Sequence, residues 1–136
     1  MRLLLDTHVL IWLSEGLEEL RPSARRVVER GAARDGLAVS AISFWEVAML
    51  EQRRRLSLST PLPEWRRRVL EAPGITEAVV SGDIAIEAVQ LPGELHADPA
   101  DRILVATARV LGLRLVTRDE RLIAYGRAGH VSAAAV

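Results

Sequence analysis

The apolar residues come in short runs separated by turn and cap residues. Leu3-Leu4-Leu5 is too brief for a helix and suits a strand buried on both faces. It stops at Asp6-Thr7, either of which can cap a helix over His8–Ser14. Ser23 predicts the start of a second helix to about Arg34, with Ala24, Val27, Val28 and Ala32 on one stripe. Asp35-Gly36 breaks it, and Leu37-Ala38-Val39-Ser40 is the next strand. Ser43 predicts a third helix ending near Arg55, with Phe44, Val47 and Ala48 facing inward. Pro61 to Glu71 is helical, with Trp65 and Val69 one turn apart.

Pro73-Gly74 introduces a third strand over Ile75–Val80, and Ser81 caps a short helix through Val89. Asp98-Pro99-Ala100-Asp101 is a strong helix start: a cap, a proline at the first helical position and an acid at the third. The stretch from Ile103 to Leu111 is apolar almost all round, which predicts a largely buried helix ended by Gly112. A fourth strand over Leu113–Thr117 and a last helix over Glu120–Tyr125 follow, and the tail from Gly129 adds an edge strand. Strands alternating with helices predict a three-layer α/β/α fold with a mainly parallel sheet of four or five strands. The 136 residues fit a single domain, 1–136.

Composition narrows the chemistry. With 49% apolar residues the chain can build a hydrophobic core. Eighteen basic residues balance eighteen acidic ones, so no global field draws the protein to nucleic acid or a membrane, and any polyanion site must be local. All eighteen basic residues are arginine, which excludes Schiff-base lysines, the phosphate-loop lysine and the lysine of receiver domains. The absence of cysteine excludes disulfides, thiolate zinc sites and cysteine nucleophiles. The apolar amino terminus is interrupted by Asp6 and His8, and no small-residue cleavage site follows. No run of eighteen apolar residues occurs, so a soluble, cytoplasmic protein with no membrane association is expected.

The six aspartates are placed tellingly. Asp6 directly follows the first strand, and Asp119 lies two residues beyond the fourth. Glu46 sits one turn into the helix entered from the second strand, and Asp101 sits in the first turn of the apolar helix. Ligands of open α/β sheets bind outside the carboxyl ends of the strands, where these four acids can converge. Two unit charges ~4 Å apart repel by about 4 kcal/mol at an effective dielectric of 20. A cluster is therefore tolerable only if protons or a cation neutralise it, and all-oxygen ligation favours Mg²⁺ or Mn²⁺ over zinc. Singly, Asp6 also reads as a helix cap, Asp101 as a capping-box partner and Asp119 as a turn residue. Together, at strand ends, they read as one site.

Four stretches resemble, in order and spacing, the successive motifs of PIN-domain ribonucleases, and most closely the VapC toxin family of bacterial toxin–antitoxin systems. They are Asp6-Thr7-His8-Val9-Leu10-Ile11-Trp12, Ser40 to Val47, His96 to Ala106, and Leu115-Val116-Thr117-Arg118-Asp119. The resemblance spans essentially the whole chain and makes Asp6, Glu46, Asp101 and Asp119 the catalytic, metal-holding acids. It implies a Mg²⁺- or Mn²⁺-dependent endoribonuclease acting on RNA, a VapB-type antitoxin as partner, a homodimer, and DNA contact only through the antitoxin. Thr117 would support the last acid, with Thr7 as a further support, and Asp98 ranks as a cap with a water-mediated role.

Arg102 and Arg118 each adjoin one of the acids and would pair with carboxylate or contact phosphate. His8 is expected to be a satisfied helix histidine, Trp12 a core residue, and His96 part of the loop before the Asp98 cap. The triplets Arg53–Arg55 and Arg66–Arg68 are expected on solvated helix faces, with a phosphate-binding rim as the alternative. Trp45, Met49 and Trp65 are candidates for the dimer surface or, with Phe44, for the antitoxin groove. Two other readings stay open: a silent PIN-like module that binds RNA or protein, and an RNA-processing nuclease without an antitoxin. Dinucleotide binding fails because no glycine-rich turn follows the first strand.

Overall fold

In the computed structural model, which describes residues 1–136, five strands form one sheet. They are β1 (Leu3–Leu5), β2 (Leu37–Ser40), β3 (Ile75–Ala78), β4 (Arg114–Thr117) and β5 (Ala133–Ala135). Their order is β3-β2-β1-β4-β5 and every pairing is parallel. The helices are α1 (Thr7–Ser14), α2 (Pro22–Asp35), α3 (Ala41–Gln52), α4 (Leu62–Glu71), α5 (Gly82–Val89), α6 (Pro99–Leu111) and α7 (Glu120–Arg127). None is long and apolar enough to cross a membrane.

The period of two along each strand sorts the core into two layers. Leu4, Ala38 and Leu115 face one way and pack with Ile84, Leu104 and Leu122 of α5, α6 and α7. Their neighbours Leu5, Leu37, Val39 and Val116 face the other way, against Val9, Val28, Val47 and Trp65 of α1 to α4. The expected three-layer α/β/α fold results, with β3 and the expected β5 as its two edge strands.

Several element ends differ from expectation. Ser23 does not cap α2: Pro22 occupies its first turn, and Arg21 at the cap makes no side-chain bond. Val27 is 59% exposed and leaves the stripe, which runs through Ala24, Val28 and Ala32 as expected, with Gly31 buried beside them. Gly31 is there because Leu3 packs on it; a Cβ would lie 2.5 Å from Leu3 Cδ1. Ser40, not Ser43, caps α3 by accepting the Ile42 N–H at 3.1 Å, which leaves Ser43 buried one turn inside. That helix stops at Gln52, just before Arg54 takes a left-handed φ of 58°. β3 ends at Ala78, because Val79 and Val80 turn outward. α6 is buried through Ala108 as expected, but Val110 and Leu111 of its last turn are exposed.

Candidate active site

The chain runs outward from β1 through β2 to β3, then returns to build β4 and β5 on the other flank of β1. The order therefore reverses between β1 and β4, and a crevice opens at their carboxyl ends. Asp6 leaves β1 there, and Thr117 ends β4 beside it. Asp6 is only 7% exposed, yet each carboxylate oxygen has a donor. The Thr7 N–H donates to Oδ1 at 2.7 Å, and the Thr117 hydroxyl donates to Oδ2 at 2.7 Å. Burial pushes this carboxyl above its ordinary range, and the two hydrogen bonds pull part of the way back.

Glu46 enters from α3. The Thr7 hydroxyl donates to Glu46 Oε1 and shares a 2.9 Å hydrogen bond with the buried Ser43 hydroxyl. Burial, aided by the charges of Asp101, Asp6 and Asp98, pushes Glu46 up to about 7 despite the Thr7 bond. Asp101, in the first turn of α6, donates its N–H to the capping Asp98 at 3.0 Å. Its own carboxylate turns away from the expected capping box and meets His96 Nε2 at 2.6 Å. His96 Nδ1 is buried without a partner. Burial raises Asp101 as well, tempered by His96.

Asp119 caps α7, accepting the N–H of Arg121 at 2.8 Å, while its own N–H donates to the Thr117 hydroxyl at 3.0 Å. The Arg121 guanidinium donates to Asp119 Oδ2 at 3.0 Å and comes within 4.0 Å of Asp101 Oδ2. That hydrogen bond holds the Asp119 carboxyl below its ordinary range, the opposite of its neighbours.

The result is a cleft of about 360 Å³ lined by Asp6, Glu46, Asp98, Asp101 and Asp119, with His8, Trp12, Arg118 and Arg121 at its margins. No three of the acids stand close enough to ligate one ion directly. An all-oxygen set of this kind suits Mg²⁺ or Mn²⁺, since Mg²⁺ keeps several waters and takes only one or two carboxylates directly. A larger groove, about 730 Å³ between α1, α2 and α4, is lined mainly by apolar residues, with Glu15, Glu29, Arg25 and Arg68 among the others. The four predicted acids all line the smaller cleft.

Some expected residues have other work. Arg102 makes no carboxylate contact; it donates to the carbonyls of Ala88, Leu95 and Val89, tying the end of α5 and the following loop to α6. Arg118 lines the cleft without pairing to an acid. Its guanidinium lies 4.5 Å over the Trp12 ring, and its Nε donates to the Val136 carbonyl. Trp12 packs against the core and also walls the cleft, and His8 beside it is exposed. Trp65 is 3% exposed and edge-on to Phe44, packed in the core, and it also lines the larger groove; Trp45 is 49% exposed. The arginine triplets lie outside the cleft, with Arg66 paired to Glu77 and Arg67 to Glu71. Sequence reasoning missed Arg121, whose signal was a long cation in the first turn of a helix capped by an acid. It also missed the clamp on Asp101 by His96.

Residues 3–128 match the PIN domain family. The chain belongs to that family. It is 39% identical over 119 residues to Ribonuclease VapC22 of Mycobacterium tuberculosis, an alignment covering 88% of each chain, which places it in the VapC branch. The crystal structure of VapBC2 from Rickettsia felis bound to a DNA fragment from their promoter has the same fold. The TM-score is 0.72 at 16% identity, covering 99% of this chain and 98% of that one. A toxin–antitoxin complex from Klebsiella pneumoniae gives a TM-score of 0.60 at 27% identity, over 88% and 89% of the two chains.

Proposed function

We propose that this PIN-domain protein is the ribonuclease toxin of a toxin–antitoxin pair, an endoribonuclease working with Mg²⁺ or Mn²⁺ held by Asp6, Glu46, Asp101 and Asp119. One observation carries the reading: five carboxylates face one cleft at the switch point of a parallel sheet. Three of them are oriented by a neighbouring hydroxyl or imidazole: Asp6 by Thr117, Glu46 by Thr7, and Asp101 by His96. Acids presented in this way keep lone pairs for a metal. A divalent ion bound there supplies an activated water and offsets charge growing on the phosphate. The chain's own part is to hold the acids in place: Thr117 fixes Asp6 and the backbone of Asp119 together, and Asp98 sets the first turn from which Asp101 projects. Arg118, pinned at the rim, is placed to meet RNA phosphate.

The partner reading follows the relatives, two of which are toxin–antitoxin complexes. An apolar antitoxin segment fits the groove between α1, α2 and α4, which Trp65 of the expected seat helps to line. The complex from Rickettsia felis is bound to promoter DNA. With no net charge on this chain, DNA contact here belongs to the antitoxin. Residues 1–136 act as a single domain in the cytoplasm, as a homodimer.

The test is cleavage of RNA with Mg²⁺ or Mn²⁺ against EDTA, in the parent chain, Asp6→Asn and Asp101→Asn. Activity should need the ion and fall by at least about 100-fold in either variant, a loss typical of removing a group central to charge stabilisation. RNA bound but never cut under any ion would favour a silent binding module. Cleavage unaffected by EDTA would defeat the metal reading.

A further inference from the structure

Arg121 has no structural task that accounts for its place. It stands in the first turn of α7, at the positive end of the helix dipole, where a cation is disfavoured. Asp119 already caps that helix through the backbone N–H groups of Arg121 and Leu122, so the cap does not need the guanidinium. Its side chain is 62% exposed, and an exposed ion pair adds little to stability. What the side chain does is reach into the cleft, 3.0 Å from one acid and 4.0 Å from another.

RNA must bring a phosphate into this cleft past five carboxylates. Two arginines line it. Arg118 is held by Trp12 and the Val136 carbonyl, whereas Arg121 is held only by Asp119 and Asp101. Those are the oxygens a divalent ion would draw on, so the ion and the guanidinium compete for them and repel each other. A guanidinium displaced from carboxylate keeps the same fork of donors for a phosphate.

We propose that Arg121 is a substrate-binding residue that exchanges the carboxylates of Asp119 and Asp101 for the scissile phosphate of RNA when the acids take up a divalent ion. The inference rests on the ribonuclease reading and adds a residue to it. Removing the side chain then has two opposite effects: the acids bind the ion more readily, and the phosphate is held less well.

The experiment uses Arg121→Ala and Arg121→Lys, with Arg127→Ala as a variant of equal charge change outside the cleft. Mn²⁺ binding is measured by calorimetry without RNA, and cleavage of a short RNA is measured across salt concentrations. In Arg121→Ala, Mn²⁺ should bind several-fold tighter while kcat/KM falls roughly tenfold or more, the worth of a charged hydrogen bond. The salt slope should flatten by about 0.7, the share of one single-strand phosphate contact. Arg121→Lys should recover part of kcat/KM, and Arg127→Ala should match the parent. Unchanged cleavage in a folded Arg121→Ala, or weaker Mn²⁺ binding with lost cleavage, overturns the proposal. If Arg121→Ala does not fold, Arg121→Gln takes its place, and unchanged cleavage in that variant overturns the proposal equally. A parent chain that neither cuts RNA nor binds Mn²⁺ defeats the ribonuclease reading instead, so the two failures are distinguishable.

Discussion

Burial and pairing pull the four acids in different directions. Asp6, Glu46 and Asp101 hold their protons harder than free carboxyls, while Asp119, bonded to Arg121, holds its proton less. Glu46 is the acid raised to about 7, from an ordinary value of 4.5. Its contribution to stability is fully present below the unfolded value and is lost as pH rises through about 7. Glu46→Gln, which keeps an acceptor for Thr7 but no charge, should therefore melt progressively higher relative to the parent between pH 4.5 and 8 in EDTA. Parallel melting curves across that range would refute it. Thr117→Val removes the hydroxyl that orients buried Asp6 and should cost about 1–3 kcal/mol while lowering activity, whereas Thr117→Ser should restore most of both. Thermal melts and cleavage rates of the pair check this.

At the scale of elements, the site depends on how helix starts are aimed. Asp6, Asp98 and Asp119 cap α1, α6 and α7, so the residues that begin these helices also line the cleft. A cap is a short-range interaction, but where the capped helix points is set by the layer beneath it. Arg102 shows the consequence. It adjoins Asp101 in sequence, yet α6 turns it away from the cleft onto three carbonyls at the end of α5 and in the loop beyond. Arg102→Met should cost about 1–3 kcal/mol, seen as a lower melting temperature, with RNA cleavage near the parent level in the cold. A large loss of activity at unchanged stability would return Arg102 to the site.

At the scale of the molecule, the chain carries no net charge, and its cleft is acidic. An RNA phosphate entering that cleft would meet its five carboxylates and the guanidinium groups of Arg118 and Arg121. Trp45, Ile86 and Val89 remain exposed, and the groove between α1, α2 and α4 is uncovered. A homodimer should cover part of this surface, giving about twice the 15.0 kDa chain mass in light scattering at tens of micromolar. Co-expression with a VapB-type protein should yield a complex without RNA cleavage. If substitution of Leu13 or Val69 by Asp leaves a folded toxin that still forms that complex, the groove is not the antitoxin seat.

The fold class and the acidic quartet were legible because both rest on periods and caps that act within a few residues. A short apolar run followed by Asp6-Thr7, or Asp98-Pro99 before an apolar helix, has few conformations available whatever surrounds it. The exchange of Ser43 for Ser40 as the cap of α3 lies at the limit of such reasoning. Both hydroxyls can cap, and the packing of Ser43 against Thr7 decided between them. Partners distant in sequence were not legible. Thr117 meets Asp6 across 111 positions, and only the pairing of β4 with β1 brings them together. The same holds for the burial of Trp65 beneath Phe44 and for Arg118 over Trp12. The long arginine side chains were the least legible of all. Each can reach several acids or carbonyls at nearly equal cost, so its partner is chosen by where the helices come to rest. The amino-acid sequence by itself determined which acids would converge on the cleft; only the tertiary structure decided which groups orient them and which arginine lies among them.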